Sequence, residues 1–190
     1  DEATGTFTLK DLVFPADGPY RIFTDFAPAS GQQDPMGQPL QVTISDDVDV
    51  GGGDYTPRPL GAEVRTKSFE SYQVALSTHG PLTSGAETML MFNLSQNGEP
   101  VTDLEPYLGA LGHSVLLREG TLEFIHAHPM DVAAQNGTVS FVVTFPEAGQ
   151  YKVFTQFQRS GEILTTDFVI RVQGASDGGL MQGMDHSQMA

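Results

Sequence analysis

Cysteine is absent from all 190 residues. That excludes a disulfide framework, a zinc finger, an iron–sulfur cluster and a blue-copper thiolate site. Basic residues are scarce: 9 Lys and Arg stand against 24 Asp and Glu, for a net charge of −15. An acidic surface of this strength repels phosphate backbones and anionic lipid, so it argues against nucleic-acid and membrane-surface partners, while it suits cations. No apolar run approaches a membrane span, and no signal peptide stands at the start. The chain opens "DEATGTF", without Met, as expected of a mature or trimmed product. Helical periodicity is nearly missing as well.

What is present is turn chemistry and alternation. The chain holds 21 Gly and 12 Pro with 39% apolar residues, a mix that suits short strands joined by many turns. Strands are expected at 6–14, 20–28, 40–46, 72–78, 88–96, 113–120, 122–128, 138–145, 151–158 and 165–172, with one short helical turn in 103–112. The expectation is an all-β protein of antiparallel Ig-like, Greek-key sandwich units. Two units are related by a repeat: "FPADGPYRIFTDF" (14–26) matches "FPEAGQYKVFTQF" (145–157), and "TGTFTL" matches "NGTVSF" upstream. The aromatic set Phe14, Tyr20, Phe23, Phe26 and its copy Phe145, Tyr151, Phe154, Phe157 reads as core packing.

The expected divisions are an N-terminal β unit over 1–49, complete or partial, a linker over 50–66, a sandwich over 67–173 and a flexible tail over 174–190. The repeat, carried back from His126 and His128, falls before residue 1. The unprocessed protein is therefore expected to carry a second His-x-His upstream.

Five histidines are present, and two of them lie in "FIHAHPM" (124–130). Side chains at i and i+2 of a strand share a face, and a rise of ~3.4 Å per residue sets His126 and His128 about 7 Å apart, near enough to converge on one ion. His113 opens the preceding strand across the turn "EGT", so a third imidazole is within reach if the hairpin runs its full length. Met130 shares the parity of the pair, and Glu105 or Asp103 precedes His113. The competing reading makes these exposed or structural strand residues. His79 stands alone in a turn and reads as a surface residue.

The second constellation is "MQGMDHSQM" (181–189), with Met181, Met184, His186 and Met189 in a segment too polar to fold alone. Thioethers beside an imidazole suit Cu(I) or Ag(I). A low-complexity tail is the plain alternative. No enzyme is read here. "GTLEFIHAH" begins a cupin-like pattern, but Val132 and Ala133 stand where a Glu is needed. No nucleophile elbow and no phosphate loop before a helix occur.

The segments "VTDLEPYLGALGHSVLLREGTLEFIHAHP" (101–129) and "VTFPEAGQYKVFTQFQRSGEILTTDFVIRV" (143–172) resemble a poorly characterised family of bacterial exported or periplasmic Ig-like sandwich proteins. Its members carry D-L-E-P-Y-L-G-A-x-G-H followed by H-x-H-P and keep company with heavy-metal transport systems. The resemblance implies that His113, His126 and His128 are the shared histidines. The tail is similar to Met/His-rich segments of periplasmic copper- and silver-binding proteins. The expected function is extracytoplasmic binding of copper, Cu(I) or Cu(II), or of silver or zinc, for metal resistance, storage or delivery, with a metal-transport or metal-receiving protein as partner. The other expectation is a non-catalytic interaction module with structural histidines.

Overall fold

The computed structural model describes residues 5–26, 28–29, 31–33, 40, 42–53, 55–107, 110–130 and 136–175. The chain divides into two compact units, Asp1–Arg58 and Pro59–Ala190. Every regular element among the described residues is a β-strand.

The first unit is built on one hairpin. β1 (Gly18–Phe26) pairs antiparallel with β2 (Val42–Val50), from Gly18 opposite Val50 to Phe26 opposite Val42. Gly18 enters β1 at φ 139°, a conformation that a Cβ disfavours, and Tyr55 lies where that Cβ would stand. The Tyr20 hydroxyl donates to Ala16 O at 2.7 Å, and the Phe14 and Tyr20 rings sit 4.6 Å apart. Arg21 spans the strands to Asp47, bonding both carboxylate oxygens. That guanidinium holds the Asp47 carboxyl below its ordinary range.

The second unit is a sandwich. Its strands are β3 (Thr66–Phe69), β4 (Tyr72–Thr78), β5 (Glu87–Gln96), β6 (Glu99–Pro100), β7 (His113–Arg118), β8 (Phe124–Pro129), β9 (Thr138–Thr144), β10 (Gly149–Arg159) and β11 (Glu162–Val172). One sheet runs β11–β10–β7–β8 and the other β8–β9–β5–β4–β3, with β6 beside β5. β8 belongs to both. Its residues 124–127 pair with β7, and its residues 128–129 pair with β9. At the opposite side Val64 bonds Val169 in both directions, at 2.8 and 3.1 Å. The two sheets are thus joined at both flanks.

Alternation explains the core. On β10 the odd positions Tyr151, Val153, Thr155 and Phe157 are buried, and on β5 Leu90, Phe92 and Leu94 are. Phe92 reaches across the sheets to Phe141, Phe157 and Phe168, with ring centroids 5.5, 5.9 and 5.5 Å away. A fully buried Phe contributes roughly 1.5–3 kcal/mol, and each aromatic contact adds about 0.5–1.5 kcal/mol. Inside this apolar layer Ser114, Thr155 and Thr166 lie side by side on β7, β10 and β11. Ser114 and Thr155 share a hydrogen bond of 3.2 Å, whereas the Thr166 hydroxyl is enclosed without a hydrogen-bond partner among the described residues, which is uncommon for a buried polar group. The Tyr151 hydroxyl donates to Glu147 O at 2.8 Å. Bonding back to the backbone just upstream in this way is the tyrosine-corner device of sandwich folds.

Four expectations change. Residues 6–14 form no strand, although they carry the strand pattern. The matching stretch of the repeat is β9, which has β5 and β8 on its two sides, and no such flanking strands exist among the described residues of the first unit. Residues 103–107 and 110–112 form no helical turn; Tyr107 and Ala110 make a narrow bridge instead. β3 and β6 were not anticipated, being too short to show periodicity. Phe154 is not core: it is 39% exposed, because three residues separate it from Tyr151 and a strand turns odd steps to opposite faces. Of the stretch 50–66, the part from Leu60 onward is fastened to the second unit: Leu60 N–H bonds Glu119, Gly61 O accepts from Gln150, and Val64 bonds Val169.

Candidate metal centre

The β7–β8 hairpin positions the histidines. Its ladder sets Leu117 opposite Phe124, Leu116 opposite Ile125, Val115 opposite His126 and Ser114 opposite Ala127. Leu116, Ser114 and Ala127 enter the core. The alternate positions 113, 115 and 126 therefore belong to the outer face of the sheet. The ladder ends at Ser114 opposite Ala127, because residues 128–129 leave β7 and pair with β9, with His128 opposite Val142. Directly opposed residues of an antiparallel pair have Cβ atoms about 4.5–5.5 Å apart, and diagonal ones about 7–8 Å. His126 lies opposite Val115, two residues from His113, so those two positions are diagonal neighbours across the hairpin.

His113 is half-buried. Its Nε2 lies 2.7 Å from Tyr107 O, and the Tyr107 ring meets the imidazole edge-on at 5.7 Å. A carbonyl only accepts, so Nε2 carries the proton and donates. In the neutral ring Nδ1 then keeps its lone pair. This is the arrangement seen around metal-ligating histidines, where the second nitrogen donates to a carbonyl and fixes the tautomer. Gly112 makes the approach to β10 feasible: a Cβ there would stand 3.0 Å from the Phe157 ring and 3.2 Å from Gln156 O. His126 is half-buried with Nδ1 enclosed from solvent. The side chain of His128 lies outside the described residues.

The carboxylates take other roles. Glu105 bridges Gln158 through the backbone, and its Oε2 accepts from Gln158 at 3.2 Å and from Gly161 N–H at 2.9 Å. It clamps the 103–107 segment to the β10–β11 turn, two residues along β10 from the partner of His113. Asp103 is held by Arg159 through both oxygens, at 2.8 and 3.1 Å. The Arg159 hydrogen bonds hold the Asp103 carboxyl below its ordinary range. Met130 is 38% exposed, and its N–H bonds Ser140 O at 3.0 Å. His79 is exposed. Among the described residues no group of three His, Asp or Glu side chains closes on an ion-sized space. Met181, Met184, His186 and Met189 lie outside the described residues.

Two contributors had no sequence signal: the Tyr107 carbonyl, since a backbone oxygen leaves no signature, and the Gly112 contact, which depends on Phe157 from a distant strand. Beside the hairpin, Asp167 receives Lys67 and Lys152, linking β11 to β3 and β10. Partial burial alone would raise its carboxyl, but the two lysines together hold it below the ordinary range.

An all-β sandwich is the class that the fold defines. Residues 66–174 match a family model described as a Domain of unknown function (DUF8832), and the chain belongs to that family. No curated protein matches the chain. Among solved structures it is similar to a Bacillus anthracis protein provisionally described as a lipoprotein, at 12% identity and TM-score 0.35, covering 63% of this chain and 86% of that one. It is also similar to a Bacteroides vulgatus protein provisionally described as bacterial DNA binding, at 13% identity and TM-score 0.33, covering 85% of this chain and 72% of that one. Among the described residues no helix is long and apolar enough to cross a membrane.

Proposed function

We propose that this chain is an extracytoplasmic copper-binding protein that serves metal resistance, storage or delivery. The observation that carries the reading is the His113 imidazole, whose Nε2 is committed to Tyr107 O at 2.7 Å, so that Nδ1 is the ring's ligand atom. That ring's strand position is diagonal to His126 across the hairpin. Three imidazoles suit Cu(II) or another borderline ion such as zinc. Met130 would complete the set from the same parity. In this reading Met181, Met184, His186 and Met189 capture Cu(I) or Ag(I) and hand it to the folded site or to a metal-receiving protein. The charge of −15 favours cations near the surface. The metal is cargo, and no catalytic step is assigned.

A second reading is favoured by the same hydrogen bond: His113 pins the Tyr107 loop, which makes the histidines structural parts of an interaction module. Titration of the apo chain with Cu(I), Cu(II), Zn(II) and Ag(I) against competing chelators decides. The metal reading requires one site that survives truncation after Gln173 and is lost in the His113→Ala, His126→Ala, His128→Ala triple variant while its far-UV spectrum persists. Unchanged affinity in that variant sinks the folded site.

A further inference from the structure

The first unit repeats the end of the second. Gly18 and Gly149 enter their strands at φ 139° and 148°. Tyr20 and Tyr151 each donate to the carbonyl four residues back, at 2.7 and 2.8 Å. The Phe14–Tyr20 and Phe145–Tyr151 rings lie 4.6 and 4.9 Å apart. Arg21 and Lys152 occupy the same place, and each reaches an aspartate on the next strand. β1–β2 is therefore the counterpart of β10–β11, and residues 6–9 are the counterpart of the start of β9.

The burial of the two copies differs. Val139, Phe141 and Val153 are 4%, 0% and 0% exposed. Their counterparts Phe7, Leu9 and Ile22 are 70%, 74% and 36% exposed, and Ile44 on the same face of β2 is 53% exposed. Ile22 and Ile44 share one face of the hairpin, and the Phe7 ring lies 5.7 Å from that of Phe26 on the same face, so exposed apolar side chains gather there into the kind of patch that marks an interaction site. The second unit shows what covers such a face. β5 flanks β9 and sends Phe92 onto Phe157 and Phe168, while β7 flanks β10.

We propose that this face of the first unit is a docking surface for strands of the family's own type, with the alternation of β5 and β7 and an aromatic in the place of Phe92, supplied by a separate stretch of polypeptide. The docked strands would complete a second sandwich around Tyr20, Ile22, Phe26 and Ile44. The inference rests on the repeat and on burial, and stands whether or not the histidines bind metal.

Hydrogen exchange of the full chain tests it. A synthetic peptide of Glu87–Arg118, which carries β5 and β7, stands in for the docked strands. At about ten times its Kd, exchange over 18–26 and 42–50 is expected to slow about tenfold. Exchange over 138–172 stays as it was. The Leu9→Asp, Ile22→Asp double variant is expected to lose the effect while its second unit keeps its urea midpoint. No slowing by the peptide overturns the proposal. So does slow exchange without peptide, or protection that grows with protein concentration alongside a dimer in sedimentation, which would make a second copy the occupant.

Discussion

The two tyrosine hydroxyls permit a comparison within one chain. Tyr151→Phe and Tyr20→Phe each delete a hydroxyl that donates to a carbonyl four residues upstream, and both rings keep their Phe neighbour. Tyr151 is fully buried, and its ring sits in the core of the sandwich. A net intramolecular hydrogen bond is worth about 1 kcal/mol, and orphaning a buried acceptor adds about 1–3 kcal/mol. Glu147 is exposed, so water reaches its carbonyl once the phenol is gone, and the second contribution is small. The expected cost at pH 7 is therefore about 1 kcal/mol. For a unit of this size that is a fall of about 4 °C in Tm, or about 0.5 M in urea midpoint at a slope of about 2 kcal/mol per M. Tyr20→Phe should leave that transition unchanged, because the first hairpin buries little and an isolated hairpin is marginal. Burial also raises the Tyr151 phenol above its ordinary 10.0, against the bond to Glu147 and the charge of Arg118, which lower it. A raised folded value means that the stabilisation is complete below the unfolded value and is lost as pH rises through the folded one. Wild type should therefore lose stability above about pH 10, and Tyr151→Phe should lose less. Far-UV circular dichroism during urea unfolding at pH 7 and pH 10.5 reads both effects. Equal losses in the two variants, or a Tyr151→Phe midpoint at the wild-type value, would refute the corner as a stabilising device.

Other outcomes follow from single contacts. Gly112→Ala places a Cβ against the Phe157 ring and Gln156 O, and overpacking of this kind costs typically 1–3 kcal/mol; thermal unfolding checks it, and a wild-type Tm would mean the 110–113 segment shifts freely. Phe92→Ala removes the ring shared by Phe141, Phe157 and Phe168 and is expected to cost about 3–5 kcal/mol, read as a lowered urea midpoint. Asp167 is held below its ordinary value of 3.8. Its stabilising share is present above that value and is lost as pH falls through the lower folded one. Asp167→Asn should therefore flatten the acid limb of the stability profile below about pH 4 and weaken the protein slightly at pH 7. An identical acid limb would assign acid unfolding to other carboxylates.

Most strands were legible because alternation and turn residues are local. Residues 72–78 fall where the pattern sets them, and β1, β2, β5 and β7 to β11 lie within a few residues of it. Failures came where a neighbour decides. Residues 6–14 carry the strand pattern but lack a flanking pair, and Phe154 sits in an aromatic cluster of the sequence yet on the outer face of β10. The register of "HSVLLREGTLEFIHAH" was legible over 114–117 against 124–127, but the step from His113 to His128 is not made, because β8 passes to β9 there. The Tyr107 bond to His113 was not, nor was the turning of Glu105 toward Gly161, since both depend on a loop closing onto β10.

The pairing of Val64 with Val169 has a mechanical meaning. The two strands run antiparallel there, so the chain entering at Pro59 and the chain leaving at Ala175 lie at the same end of the pair. Tension applied to those two ends would load the hydrogen bonds one after another rather than in parallel. The bonds nearest the ends, Leu60 to Glu119 and Gly61 to Gln150 on one side and Gln173 to Leu82 and Ser84 on the other, would yield before the pair at Val64, and the sandwich would then open by peeling along its β3–β11 seam.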